Sequence, residues 1–176
     1  MNMIKPYEFS LPIIVKFGSG ESGKTGIVAK EQGWKKTLII TDKGVVNAGL
    51  LKGITESLEE SSVSYTVFDE VEPNPKSIGV EKAARLLKNL KCDLAIGVGG
   101  GSSMDSAKVA AMLAKNPGEP KDYAQWAGQP PKVFNNHPLP LVTIPTTAGT
   151  GSEVDFWAGI TDSTEMRKMD LAQSPL

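Results

Sequence analysis

At 176 residues with 40% hydrophobic content, the chain is long enough to bury the core of one domain. Its 19 basic and 20 acidic side chains leave a formal charge of -1, which offers no footprint for nucleic acid or an anionic membrane, and no run is long and apolar enough to span a bilayer. The lone cysteine, Cys92, cannot form an internal disulfide, the lone histidine, His137, cannot complete a histidine-rich metal site, and the N-terminus lacks the apolar core of a secretory signal, so a cytoplasmic protein is expected.

In chain order, the hydrophobic pattern predicts a strand at Ile13–Phe17, a helix at Glu21–Gln32, a strand at Thr37–Thr41 and a helix at Val46–Ser61. A strand at Tyr65–Phe68, a helix at Ser77–Leu90, a strand at Leu94–Val98, a helix at Ser102–Lys115 and a strand at Leu141–Ile144 follow. In Ser77–Leu90, Ile78, Ala83, Leu86, Leu87 and Leu90 can share an apolar face while Lys82, Arg85, Lys88 and Asn89 meet solvent. The Pro/Gly-rich stretch Asn116–Pro140 breaks the rhythm; Trp126 is expected to pack it against the body, and His137 to be a loop residue. Beyond Pro145, Val154–Ile160 and Arg167–Ala172 can pair as a hairpin across Thr161–Met166. Short apolar runs alternating with amphipathic ones make a Rossmann-like α/β fold, a doubly wound parallel sheet with helices on both faces.

Gly18–Thr25 satisfies two motifs at once. Read as G-x-x-x-x-G-K-T it is the phosphate loop of an NTPase, with Lys24 on a terminal phosphate and Thr25 on magnesium; read as G-x-G-x-x-G it is a dinucleotide turn. Asp42, at the end of the next strand, suits a ribose diol and, less well, magnesium. A plain strand-to-helix turn, with glycines supplying positive φ, is the third reading. An NTPase also needs a second acidic strand end and a water-orienting residue, for which Asp42 comes too soon.

A stronger signal lies where Leu94–Val98 runs into Gly99, Gly100, Gly101 and Ser102. Consecutive glycines let backbone N–H groups approach a pyrophosphate, and the helix start adds unpaired donors and a positive dipole end. Ser102 can cap that helix, and Asp105 falls in its first turn, favoured there by the dipole whether or not it touches a ligand. The second cluster, Thr143–Glu153, crowds Thr146, Thr147, Thr150 and two glycines beyond a strand, either as a polar ligand site or as a hydrogen-bonded loop.

Together these clusters resemble the iron-containing alcohol dehydrogenase family, whose members carry a GGGS-x-x-D loop and then a TIPTTAGTGSE segment. The resemblance extends through Phe17 and Gly18, the Thr41–Gly44 turn, the Glu72–Pro75 loop and Ile160–Asp162, over essentially the whole chain. It implies that Gly99, Gly100, Gly101 and Ser102 hold the pyrophosphate of NAD, with Asp105 beside them, that Thr146, Thr147 and Thr150 line the adenosine and ribose side, and that Lys168 approaches the nicotinamide ribose. Asp42 stands where the family selects its cofactor, and its carboxylate would repel the 2′-phosphate of NADP. The implied reaction is hydride transfer between an alcohol or aldehyde and NAD, assisted by iron or another divalent metal.

In the family one aspartate and three histidines of a following helical domain hold that metal, so residues 1–176 are expected to be the dinucleotide-binding domain alone, inactive by itself and ending before its last strand. Ser174–Leu176 resembles the segment before that strand, which predicts an open sheet edge and self-association. The family's habit of dimerising through N-terminal strands would fall on Tyr7–Phe17, making a homodimer the expected assembly.

Overall fold

The computed structural model describes residues 13–125 and 130–172. The expectations for Trp126, for residues 7–12 and for Ser174–Leu176 lie outside them. Four strands, β1 (Lys36–Ile40), β2 (Ser64–Phe68), β3 (Leu94–Gly99) and β4 (Leu141–Pro145), form a parallel sheet in the order β2-β1-β3-β4. The helices are α1 (Thr25–Glu31), α2 (Lys43–Asn47), α3 (Lys52–Glu60), α4 (Ser77–Asn89) and α5 (Gly101–Lys115). β5 (Trp157–Thr161) and β6 (Lys168–Ala172) make a separate antiparallel hairpin.

Alternation along the strands divides the core in two. Leu38, Ile40 and Ala95 join Val80, Ala83, Leu87, Ala107, Ala110 and Ala111 beneath α4 and α5, whereas Ile39, Leu94, Ile96 and Val98 join Ala29, Ile54 and Leu58 beneath α1 and α3. Helices thus cover both faces, as a doubly wound fold requires. Asp93 aligns the two central strands, its oxygens accepting the Lys35 and Lys36 N–H groups at 2.9 Å. α5 lies against β3 because Gly97 has no side chain; a Cβ there would sit 2.8 Å from Ala107 Cβ.

Four expectations change. Ile13–Phe17 is not a strand: none of the described residues pairs with it, and Phe17 is 99% exposed. The helix expected over Val46–Ser61 is two, because the chain turns at Gly49 with φ 71°, and that expected over Glu21–Gln32 opens with a 3-10 turn, Glu21–Lys24, before α1. On α4 the buried aliphatic residue of the first turn is Val80, while Ile78 faces outward. The 116–140 connection is held by Asn116, whose side chain bonds the Met112 and Asn136 carbonyls and accepts the Asn135 and Asn136 N–H groups, and by buried Tyr123, whose hydroxyl donates to the Pro117 carbonyl.

The hairpin buries Ala158, Ile160, Met169 and Leu171 in the α4–α5 core. At its turn Asp162 Oδ1 accepts the Thr164 and Glu165 N–H groups at 2.7 and 2.8 Å. Those two bonds hold the Asp162 carboxyl below the usual carboxylate range. The turn is fastened to the start of α4 by Ser163 and Ser77, each donating to the other's hydroxyl oxygen, and by the Thr161 N–H on the Pro75 carbonyl at 2.8 Å.

Two outcomes follow from this packing. Gly97→Ala should cost about 1–3 kcal/mol in urea denaturation, because the added methyl overpacks the β3–α5 contact; unchanged stability would show that α5 can shift away freely. Since a depressed carboxyl stabilises the fold while ionised, Asp162→Ala should cost about 1–3 kcal/mol at neutral pH, and the cost should shrink as pH falls through and below about 3.9. Melting temperatures of both chains across pH 7 to 3 check this.

Candidate cofactor site

β1 leads through α2 and α3 to β2 on one side, while β3 leads through α5 to β4 on the other. The crevice between the carboxyl ends of β1 and β3 is therefore the point where chain direction reverses, the usual ligand position in an open α/β sheet. Asp42 leaves β1 there and Gly99 leaves β3 there. Asp42 is the N-cap of α2: its Oδ1 accepts the Val45 N–H at 3.0 Å, and its Oδ2 accepts the Ser103 hydroxyl at 3.3 Å across the crevice.

Gly99 has φ 144°, a conformation that disfavours any side chain, and a Cβ there would meet Ser103 Oγ at 2.6 Å and Asp42 Oδ2 at 3.3 Å. A Cβ on Gly100 would lie 3.2 Å from Thr147 Oγ1, and one on Gly101 3.3 Å from Ser152 Oγ and 3.5 Å from Thr150 Cβ. The glycines thus line a surface of bare backbone flanked by hydroxyls. The loop after β4 is tied to it by the Thr146 N–H, which donates to the Gly99 carbonyl at 2.9 Å. Thr143 Oγ1 and Thr150 Oγ1 brace that loop from within, donating to the Glu153 carbonyl and the Glu153 carboxylate.

Two details of α5 differ from expectation. Its N-cap is Gly100 and no side chain caps it, so Ser102 is the second helical residue and the leading N–H groups of the helix keep no side-chain partner. Asp105 lies beyond the first turn, and its Oδ2 accepts the Gly159 N–H at 2.9 Å. Burial pushes the Asp105 carboxyl up, against the Gly159 N–H and the Lys108 ammonium, which pull it down. Lys168, the first residue of β6, is exposed and its side chain crosses Gly159: a Cβ on that glycine would meet Lys168 Cε at 2.8 Å and Asp105 Oδ2 at 3.7 Å. Of the ten expected site residues, Asp42, Gly99, Gly100, Gly101, Ser102, Thr146, Thr147 and Thr150 lie around the bend, while Asp105 of α5 and Lys168 of β6 lie together at Gly159. Sequence reasoning passed over Ser103 and Gly159, whose places depend on contacts between distant segments.

The Gly18–Thr25 segment has another construction. No strand among the described residues precedes it, Lys24 pairs with Glu21 at 2.5 Å, and buried Thr25 donates its hydroxyl to the Ser22 carbonyl at 2.6 Å. Gly26 continues it as a packing residue, since a Cβ there would clash with the Ser57 carbonyl oxygen of α3. A phosphate loop needs its lysine and hydroxyl turned toward the ligand at a strand end, and this turn uses both locally. His137 is an exposed loop residue, and no cluster of three or more His, Cys, Asp or Glu that could hold a metal occurs among the described residues.

The family model for iron-containing alcohol dehydrogenase matches residues 12–176. The chain belongs to the iron-containing alcohol dehydrogenase family. Among similar proteins, choline dehydrogenase of Bacillus subtilis is 42% identical over 161 residues, covering 92% of this chain and 40% of that protein. Alcohol dehydrogenase from Oenococcus oeni superposes with a TM-score of 0.84 at 35% identity, over 94% of this chain and 42% of that one. Sulfoacetaldehyde reductase from Bifidobacterium kashiwanohense, solved in complex with NAD+, gives a TM-score of 0.87 at 27% identity, over 97% of this chain and 44% of that one. The chain thus spans about two fifths of the length of the relatives it matches.

Proposed function

We propose that the chain is the dinucleotide-binding domain of an oxidoreductase that moves hydride between an alcohol or aldehyde and NAD. The observation that carries this reading is the bare backbone of Gly99–Gly101 at the β1–β3 switch point, where an added Cβ at each glycine would fill the surface a pyrophosphate needs. In this reading the N–H groups of Gly100, Gly101 and Ser102 receive the pyrophosphate, Thr146, Thr147 and Thr150 face the adenosine and ribose, and Asp105 and Lys168 meet the nicotinamide ribose. Asp42, already positioned by the Val45 N–H, accepts the adenine ribose hydroxyls and opposes a 2′-phosphate by like charge. NAD, when bound, supplies the hydride acceptor; this chain's residues bind and orient it.

The metal that gives the family its name finds no donor set among the described residues, so it has no assigned place here. We further read the protein as cytoplasmic, which suits the buried free thiol of Cys92, and as self-associating, most simply a homodimer, which suits the exposed Ile14, Val15 and Phe17. No helix among the described residues is long and apolar enough to cross a membrane.

Calorimetric titration tests the cofactor reading. NAD+ should bind the wild-type chain and Lys24→Ala alike, whereas Gly100→Val, which crowds Thr147, should weaken binding by about a hundredfold or more, equivalent to about 2.7 kcal/mol. Loss of binding on Lys24→Ala with Gly100→Val unaffected would move the nucleotide to the Gly18–Thr25 turn. NADP+ should bind at least about tenfold more weakly than NAD+, and Asp42→Ala should narrow that gap by removing the repulsion; tighter binding of NADP+ to the wild-type chain would refute the role of Asp42.

A further inference from the structure

α5 and the hairpin meet at Lys108, a lysine with only 12% of its side chain exposed. Its ammonium donates to Asp155 Oδ1 at 2.6 Å and to the Trp157 carbonyl at 2.8 Å, and stands 3.8 Å from Asp105 Oδ1. That Asp105 oxygen is buried and has no hydrogen-bond partner among the described residues, while the other holds the Gly159 N–H. One lysine and one aspartate, three residues apart on one helix, therefore grip β5 at successive points: the side chain of Asp155, the carbonyl of Trp157 and the amide of Gly159. The spacing decides the register, since Trp157 and Gly159 are two apart and turn the same side of the strand to α5.

Register matters because of what lies above Gly159. The glycine leaves room for Lys168 to cross β5 beside Asp105, and any slip of β5 along α5 would carry the Lys168 ammonium with it. Asp170 of β6 pairs across from Gly159 on the same face of the hairpin as Lys168, while Asp162 lies at the hairpin turn, beyond Thr161. A partly buried ammonium needs to satisfy its donors, so the grip is directional rather than a loose surface pair.

We propose that Lys108 is a positioning residue for the cofactor site, clamping β5 to α5 so that Lys168 presents its ammonium beside Asp105. The inference rests on the NAD reading for its consequence but not for its geometry. Lys108 is not among the residues expected to meet NAD; it acts through Asp155, Trp157 and, within the site, Asp105. It also bears on the charge of Asp105, which faces Lys108 from its own helix, Asp155 from the approach to β5 and Lys168 from β6. Burial already raises the Asp105 carboxyl and Lys108 partly opposes that rise, so removing the lysine should let the carboxyl take up its proton at still higher pH in the variant.

The test compares the wild-type chain with Lys108→Met and Lys108→Arg by NAD+ titration from pH 5 to 8 and by amide hydrogen exchange of β5 and β6. Lys108→Met should weaken NAD+ binding about tenfold, speed exchange at Trp157–Thr161 and make affinity begin to fall at higher pH than in the wild type as pH is lowered; Lys108→Arg, able to keep the charge and donors, should stay within about threefold of the wild type. Unchanged exchange in Lys108→Met would overturn the clamp, and faster exchange with unchanged affinity and pH profile would overturn its link to the site. Should Lys108→Met not fold, Asp155→Asn, which weakens the shortest contact, must show the same changes in the same direction or the proposal fails. If the wild-type chain binds no NAD+, the cofactor reading fails by itself, and the exchange rates alone decide the clamp.

Discussion

The bare contact between β3 and α5 is the constraint on which the rest of the structure depends. Gly97 lets the helix lie on the strand, Gly99 turns the chain with a φ of 144° that disfavours side chains, and Gly100 and Gly101 carry nothing that would cover the start of the helix. A strand and a helix that approach this closely leave the leading N–H groups of the helix open at the edge of the sheet. The same absence of side chains that allows the packing leaves the bare backbone on which the proposed pyrophosphate site rests.

Other features hold that bend in place. Asp93 fixes the relative heights of β1 and β3 by two bonds to Lys35 and Lys36, which brings Asp42 and Gly99 out of the sheet beside one another. Ser103 then reaches back to Asp42. The loop after β4 closes the third side, with the Thr146 amide on the Gly99 carbonyl. The hairpin adds the fourth, being fastened to α5 through Lys108 and Asp105 and to the start of α4 through Ser163 and Ser77. Each tie joins segments far apart in the chain, so the site forms only once the sheet has.

That distribution explains what could be read from the residues in order. Thr37–Thr41 and Leu94–Val98 are legible as strands because both faces are buried and mostly aliphatic residues fill them, and α4 because its apolar positions recur with the helical period. The glycine bend and the threonine loop were legible as motifs. Ile13–Phe17 misleads because an apolar extended run reports strand propensity, whereas a strand needs a partner for its ladder, and none of the described residues supplies one. Val45, Val46, Leu50, Leu51 and Ile54 carry an apolar pattern straight through the break at Gly49, which hid the division of α2 from α3. Ser102 has the right chemistry for a cap but sits two residues inside, because the chain enters the helix at a glycine. Lys108 gripping Asp155, 47 residues away, left no local signal at all.

A crystal of the chain grown with NAD+ tests the central claim most directly. The account predicts that the pyrophosphate oxygens lie within hydrogen-bond distance of the Gly100, Gly101 and Ser102 amides, with the adenine ribose against Asp42. Phosphates resting instead on the Gly20–Lys24 turn, or on the far edge of the sheet beyond β2, would contradict it.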